Sequence, residues 1–166
     1  MRKIITVVKD RVFNKTQYDT VSGKLSWAVL VRPDPTFNCW SINLHPTPDS
    51  LEKIREWQSR GMKNTIKKDE DGWFVKFRCP VNKKRKDGTI WAFEAPEVKD
   101  VSGQPIDGSR VGNGSDGVLR LEIYEHPTPG GGKAIASRLV GVKVIDLVPY
   151  EPAVETDEQG EVVEAW

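Results

Sequence analysis

Gly72-Trp-Phe-Val-Lys-Phe-Arg-Cys-Pro80 alternates between two kinds of side chain. In an extended chain, Trp73, Val75, Phe77 and Cys79 fall on one side. Phe74, Lys76 and Arg78 fall on the other, which is the period of two that a half-buried strand requires. A basic run, Lys83-Lys-Arg-Lys86, and the turn pair Asp87-Gly88 lead on to Thr89–Ala95. The two segments read as a long hairpin.

The same alternation recurs on both sides. Residues 1–9 alternate weakly as a first strand, and the polar Asp10–Thr20 reads as a loop. Lys24–Val31 places Leu25, Trp27, Val29 and Val31 together, and Thr36–Leu44 does so for Trp40, Ile42 and Leu44, ending at Pro46 and Pro48. A helix is predicted over Asp49–Arg60, with Asp49 and Glu52 as a capping box and Gly61 as its stop. Its apolar stripe of Leu51, Ile54 and Trp57 puts Trp57 in the core. Residues 96–117 are irregular. Val118–Tyr124 turns Leu119, Leu121 and Ile123 inward and Arg120, Glu122 and Tyr124 outward. Pro127–Gly132 is a turn, and Ala134–Val148 adds one or two strands. His-Pro-Thr-Pro occurs at 45–48 and 126–129, ending a strand each time, as shared turn chemistry. One helix among six to eight strands predicts an all-β chain. The expected form is an OB-fold-like Greek-key barrel of about five core strands with extra strands, a hairpin and one helix; a sandwich is the alternative.

Charge divides the 166 residues in two. The chain holds 25 Lys and Arg against 24 Asp and Glu, a net +1. Residues 151–166 hold six of the acids and no base, which leaves 25 cations against 18 anions, a net +7, on residues 1–150. The expected division is therefore a globular domain over 1–150 and a disordered acidic tail over 151–166. Such asymmetry suggests a body that meets a polyanion and a tail that competes with it. Glu155, Asp157, Glu158, Glu161, Glu164 and Trp166 are the candidate partner-binding residues. A solvating tail gains nothing from a terminal indole, whereas a docking peptide gains an anchor.

Several chemistries are excluded. No apolar run approaches the roughly 18 residues of a membrane helix, and the N-terminal apolar stretch is too short for a secretory signal. Cys39 and Cys79 lack metal-ligand spacing and read as reduced packing residues of a cytosolic protein. Gly112-Asn-Gly-Ser-Asp-Gly117 matches a dinucleotide motif by letter, but a period-two strand follows it where a helix is needed. His45 and His126 have no ligand neighbours at suitable spacing, and Asp69-Glu-Asp71 reads as a polar turn. The expectation is no catalysis, no metal and no cofactor.

What remains is cations interleaved with aromatics. Unpaired bases stack on aromatic rings for roughly 1–3 kcal/mol each, and phosphates call for Lys or Arg along the same path. Lys76, Arg78, Lys83, Lys84, Arg85, Lys86 and Arg120 are the candidate phosphate contacts. Phe74 and Tyr124, with Trp40 or Trp91, are the candidate stacking residues.

The chain also resembles the bacteriophage single-stranded-DNA-binding proteins that combine a modified OB barrel with an acidic, aromatic-ended tail. The resemblance is carried by Gly72-Trp-Phe-Val-Lys-Phe-Arg78, Ala95-Pro-Glu-Val-Lys-Asp-Val-Ser-Gly-Gln-Pro-Ile106, Val111-Gly-Asn-Gly-Ser115, the strand ending at Tyr124, and Leu139-Val-Gly-Val-Lys-Val-Ile-Asp-Leu-Val148. It spans roughly residues 72–150 plus the tail. Residues 1–70 match in outline alone, and Trp166 stands where relatives often have Phe. The resemblance implies a DNA replication and recombination accessory protein in the host bacterial cytoplasm. Its tail would contact the phage DNA polymerase and helicase-primase, and tail exchange would allow a homodimer. Two other readings stay open: an RNA-binding, cold-shock-like OB module, and a structural phage β protein with no nucleic-acid role.

Overall fold

The computed structural model describes residues 17–84, 87–150, 154–156 and 162–164. The strand expected over 1–9 lies outside them. Seven strands make one sheet: β1 (Gln17–Asp34), β2 (Cys39–Pro46), β3 (Ile66–Asp69), β4 (Gly72–Pro80), β7 (Glu97–Asp100), β8 (Ser115–Pro127) and β9 (Lys133–Asp146). Their order is β3-β4-β2-β1-β8-β9-β7, and β4 also packs against β9, which closes the sheet. The result is the expected OB-like barrel, with β1, β2, β4, β8 and β9 as its five staves.

Leu25, Ile42, Leu44, Val75, Phe77, Leu119, Leu121 and Leu139 are fully buried in the barrel. They are the inward residues of the alternating runs, so the period-two pattern places the core directly. Free Cys39 and Cys79 are buried with them. Burial pushes the Cys79 thiol pKa up, which keeps it protonated and unreactive.

β1 departs most from expectation. It begins at Gln17, so Gln17–Thr20 is strand rather than loop, paired with Arg120–Ile123 of β8. Its second half pairs with β2 through two register breaks. Trp27 lies at one break with φ 49°, its N–H donating to Asn113 Oδ1 at 2.8 Å. The break turns its ring out of the inward row, leaving it 66% exposed.

The helix α1 runs Pro48–Ser59. Thr47, not Asp49, is its N-cap: the Thr47 hydroxyl accepts from the Ser50 N–H, and Pro48 occupies the first turn, where it sacrifices no helical bond. Ile54 and Trp57 are buried, as the stripe predicts. At the other end Gly61 N–H donates to Gln58 O and Met62 N–H to Trp57 O, with Gly61 at φ 100°. This is a Schellman close. The Ile135 N–H then donates to Arg60 O at 3.1 Å, tying the helix end to β9.

The long hairpin is shorter than expected. β4 pairs with β2 and β3, and the hairpin is confined to β5 (Asn82–Lys84) and β6 (Ile90–Ala92), a separate two-stranded unit. The segment expected to be irregular contains β7, which pairs in parallel with β9. Gly112–Gly117 is a turn running into β8, not into a helix. In the acidic tail, where no structure is expected, the backbone pairs β10 (Val154–Thr156) with β11 (Val162–Glu164). Among the described residues no helix is long and apolar enough to cross a membrane.

Candidate nucleic-acid interface

The outward face of β4 builds one groove. Its ladder to β3 sets Lys67 opposite Phe74, and its ladder to β2 sets Asn43 opposite Lys76 and Ser41 opposite Arg78. The α1–β3 connection adds Lys63, Asn64 and Thr65, and Ser137 of β9 completes a groove of about 530 Å³. Asn64 pins that connection. Its Nδ2 donates to Lys76 O at 2.8 Å, its Oδ1 accepts from Ser137 Oγ at 3.1 Å, and its carbonyl accepts from Gln58 Nε2 at 2.7 Å. Among the described residues four cations, Lys63, Lys67, Lys76 and Arg78, line the groove and no carboxylate does. A one-sign lining of this kind concentrates anions.

Phe74 is half-buried, so its ring is held yet open to the groove. His45 backs it, with ring centroids 5.7 Å apart. The His45 Nε2 sits 3.0 Å from the Asp69 carboxylate. Burial would raise the Asp69 pKa, but the His45 hydrogen bond and the Asp71 N–H outweigh it and hold the carboxyl below its ordinary value. His45, Asp69 and Asp71 are also the one set among the described residues whose ligand atoms lie close enough to share a cation. Asp69 is already engaged by both neighbours, as a polar turn requires.

Beyond the groove, the Arg78 guanidinium lies over the Phe37 ring at 5.6 Å. Phe37 is 66% exposed on the β1–β2 turn, where Asp34 Oδ1 accepts from the Thr36 and Phe37 N–H groups. The β5–β6 hairpin follows β4, with Lys83 and Lys84 exposed and half-buried Trp91 opposite Lys83. Arg85 and Lys86 lie outside the described residues.

The other expected residues sit elsewhere. Trp40 is a core residue, 7% exposed, with Nε1 donating to Val31 O at 3.1 Å. Packed in the core cluster at that burial, it has no open ring face for a base. Arg120 does not line the groove; its guanidinium covers the Tyr18 ring at 4.5 Å. The Tyr18 hydroxyl donates to Glu122, which is 1% exposed and pairs with Arg138 at 3.2 Å. Arg138 in turn lies over Phe93 at 4.7 Å. Glu122 is therefore a buried ion-pair partner, not an outward surface group. Burial would lower the Arg138 pKa, but Glu122 reverses this and raises it. Tyr124, half-buried further along β8, also lies off the groove. Of the tail candidates, Glu155 and Glu164 lie on β10 and β11. Asp157, Glu158, Glu161 and Trp166 lie outside the described residues.

Lys63, Lys67, Asn64 and Phe37 were not legible as site residues. Lys67 and Lys63 occur in an unremarkable polar stretch, and Phe37 is a lone aromatic in a turn. The β3–β4 register brings Lys67 to Phe74, the Asn64 hydrogen bonds bring the 63–65 connection to Lys76, and the β1–β2 turn brings Phe37 to Arg78.

Solved structures share this architecture. Bacteriophage T7 gp2.5, a single-stranded DNA binding protein, aligns with 90% of this chain and 100% of its own at a TM-score of 0.58 and 16% identity. The single-stranded DNA-binding protein from bacteriophage Enc34 aligns with 95% of this chain and 98% of its own at a TM-score of 0.50 and 16% identity. The chain has the fold of these phage proteins. No family model and no curated protein matches the sequence. Both alignments cover far more of the chain than the stretch of roughly residues 72–150 that carries the sequence resemblance.

Proposed function

We propose that this chain binds single-stranded DNA without sequence preference, as a phage replication and recombination accessory protein rather than an enzyme. The groove carries the reading: among the described residues four cations and no carboxylate flank the half-open ring of Phe74. Phosphates meet Lys63, Lys67, Lys76 and Arg78, and a base stacks on Phe74. Phe37, Lys83, Lys84 and Trp91 extend the path toward the hairpin. The two structural neighbours are named as single-stranded-DNA-binding proteins, which agrees with this assignment. Arg85 and Lys86, which follow Lys84 in the sequence, are further candidate phosphate contacts, whereas Arg120 and Tyr124 lie off the groove.

The acidic tail has two roles in this proposal. It competes with DNA for the basic body, and once displaced it presents Trp166 to the phage DNA polymerase or helicase-primase. A homodimer formed by tail exchange is the corresponding resting state, in the host cytoplasm.

Tryptophan fluorescence during titration with a long oligo(dT) and with duplex DNA, at low and high salt, tests the reading. Quenching by the single strand, weak response to duplex and reversal by salt are expected. Silence with both nucleic acids would remove the DNA-binding function.

A further inference from the structure

Asn43 occupies the floor of the groove in an unusual state. It is 6% exposed, it lines the groove, and its Oδ1 is buried with no hydrogen-bond partner. Ser26, its neighbour across the β1–β2 ladder, is 8% exposed and its Oγ is equally unpartnered. A row of hydroxyl, amide and ammonium thus runs across three strands through Ser26, Asn43 and Lys76. Buried polar groups are almost always paired, and an unpaired one calls for an explanation in strain, a bound water or ion, or a ligand.

The chemistry of the missing partner is narrow. An amide oxygen needs a donor. Phosphates and deoxyribose within a DNA strand offer acceptors alone, so the backbone that Lys76 and Arg78 attract cannot satisfy Asn43. A base edge can, because each base carries N–H groups beside acceptors. Phe74 stands two residues before Lys76 on the same face of β4, and such diagonal ladder neighbours of Asn43 are about 7–8 Å away. A base lying on the Phe74 ring therefore has its edge within reach of the amide. Rotation about the broad χ2 torsion of Asn43 turns its oxygen or its nitrogen to the groove.

We infer that the groove admits one unpaired base edge-first, stacked on Phe74, with the Asn43 amide hydrogen-bonded to its Watson–Crick edge. An amide is donor and acceptor together, so it accepts the edge of any of the four bases. It refuses a base whose edge is already paired. Selection of single over double strands then comes from a hydrogen bond at residue 43 as well as from stacking. This rests on the single-strand reading above and assigns its selectivity to a particular side chain.

The test compares the full chain's affinity for oligo(dT) with its affinity for the same length of oligo(N3-methyl-dT), which lacks the N3–H donor. The expected loss on methylation is about tenfold, the scale of a buried hydrogen bond left unmade. Asn43→Ala should bind the two probes alike, because it removes the acceptor and makes room for the methyl. Equal affinity of the unsubstituted chain for both probes overturns the inference, and needs no variant to fold. A chain that binds neither probe instead overturns the single-strand reading itself. Oligo(dU) against oligo(rU) separates the other donor source. Matched affinities support the base edge, whereas tenfold tighter binding of oligo(rU) that disappears in Asn43→Ala would assign the donor to the ribose 2′-OH and overturn the inference.

Discussion

Phe74 and Trp40 stand on adjacent strands, and the barrel gives their rings different exposures. The Phe74 ring is half open, while Trp40 is 7% exposed and hydrogen-bonded through its indole. Phe74→Ala should weaken oligo(dT) binding by about 1–3 kcal/mol, the worth of one stacked base, and leave the urea midpoint nearly unchanged. Trp40→Ala should do the reverse, lowering stability by about 3–5 kcal/mol in urea titration through the cavity it leaves. A binding loss in Trp40→Ala at temperatures where the variant is fully folded would show that its ring reaches the DNA after all. Both residues carry the same inward–outward ambiguity in the sequence, because an aromatic suits either a core or a stacking platform. The polar residues are clearer once folded. Asp107 accepts from the Ser109 hydroxyl at 2.7 Å and from its N–H at 3.0 Å, and these bonds hold its pKa below 3.8, the hydroxyl foremost. The carboxylate form is the one stabilised by folding. Its contribution is therefore present above the unfolded value and is lost as pH falls through the depressed folded one. In a carboxyl-resolved NMR titration, Ser109→Ala should move Asp107 upward toward 3.8, the ordinary value from which it departs.

At the level of elements, local pattern and non-local pairing divide what the sequence discloses. β4 was fully legible, since Val75, Phe77 and Cys79 alternate with Phe74, Lys76 and Arg78 and nothing interrupts them. Even there Trp73, inward by parity, is 49% exposed because it lies at the strand end, where Lys68 covers it at 5.5 Å. β7 was not legible: Glu97-Val-Lys-Asp100 has one apolar residue and becomes a strand only because β9 offers it a parallel edge. Gln17–Thr20 has the composition of a loop and owes its extended form to β8. The groove follows the same division. Its β4 members come from one alternating run, Lys67 from a short hairpin strand that does not itself alternate, and Asn43 from a β2–β4 register that no local window contains. The helix end offers a direct test of such tertiary control. A Cβ on Gly61 would meet the Ala134 Cβ at 2.6 Å, and the residue has φ 100°. Gly61→Ala should therefore destabilise by about 1–3 kcal/mol from backbone strain alone. Thermal melts should show the loss, and a neutral result would mean that the α1–β9 junction relaxes freely.

Across the whole molecule, the separation of charge between body and tail governs the behaviour expected with DNA. On the proposed function, the groove's four cations, Lys63, Lys67, Lys76 and Arg78, set the number of phosphates neutralised there at about four. At about 0.7 per phosphate for single strands, log K should fall by roughly 3 per decade of salt, and more steeply if Lys83 and Lys84 also contribute. The tail adds a second salt-dependent term of opposite sense. In the proposed competition its six acids, tethered to a body of net +7, act against DNA at an effective concentration that dilution cannot lower. Deleting residues 151–166 should then tighten oligo(dT) binding at low salt. The gain should shrink as salt rises and vanish near 1 M, where the screening length falls to about 3 Å. The truncated chain should consequently show a steeper salt dependence than the full chain, because one of two opposing electrostatic terms has been removed. Parallel salt slopes with a constant offset would point instead to a non-electrostatic contact by Trp166. Identical affinities at every salt concentration would show that the tail does not compete for the groove at all.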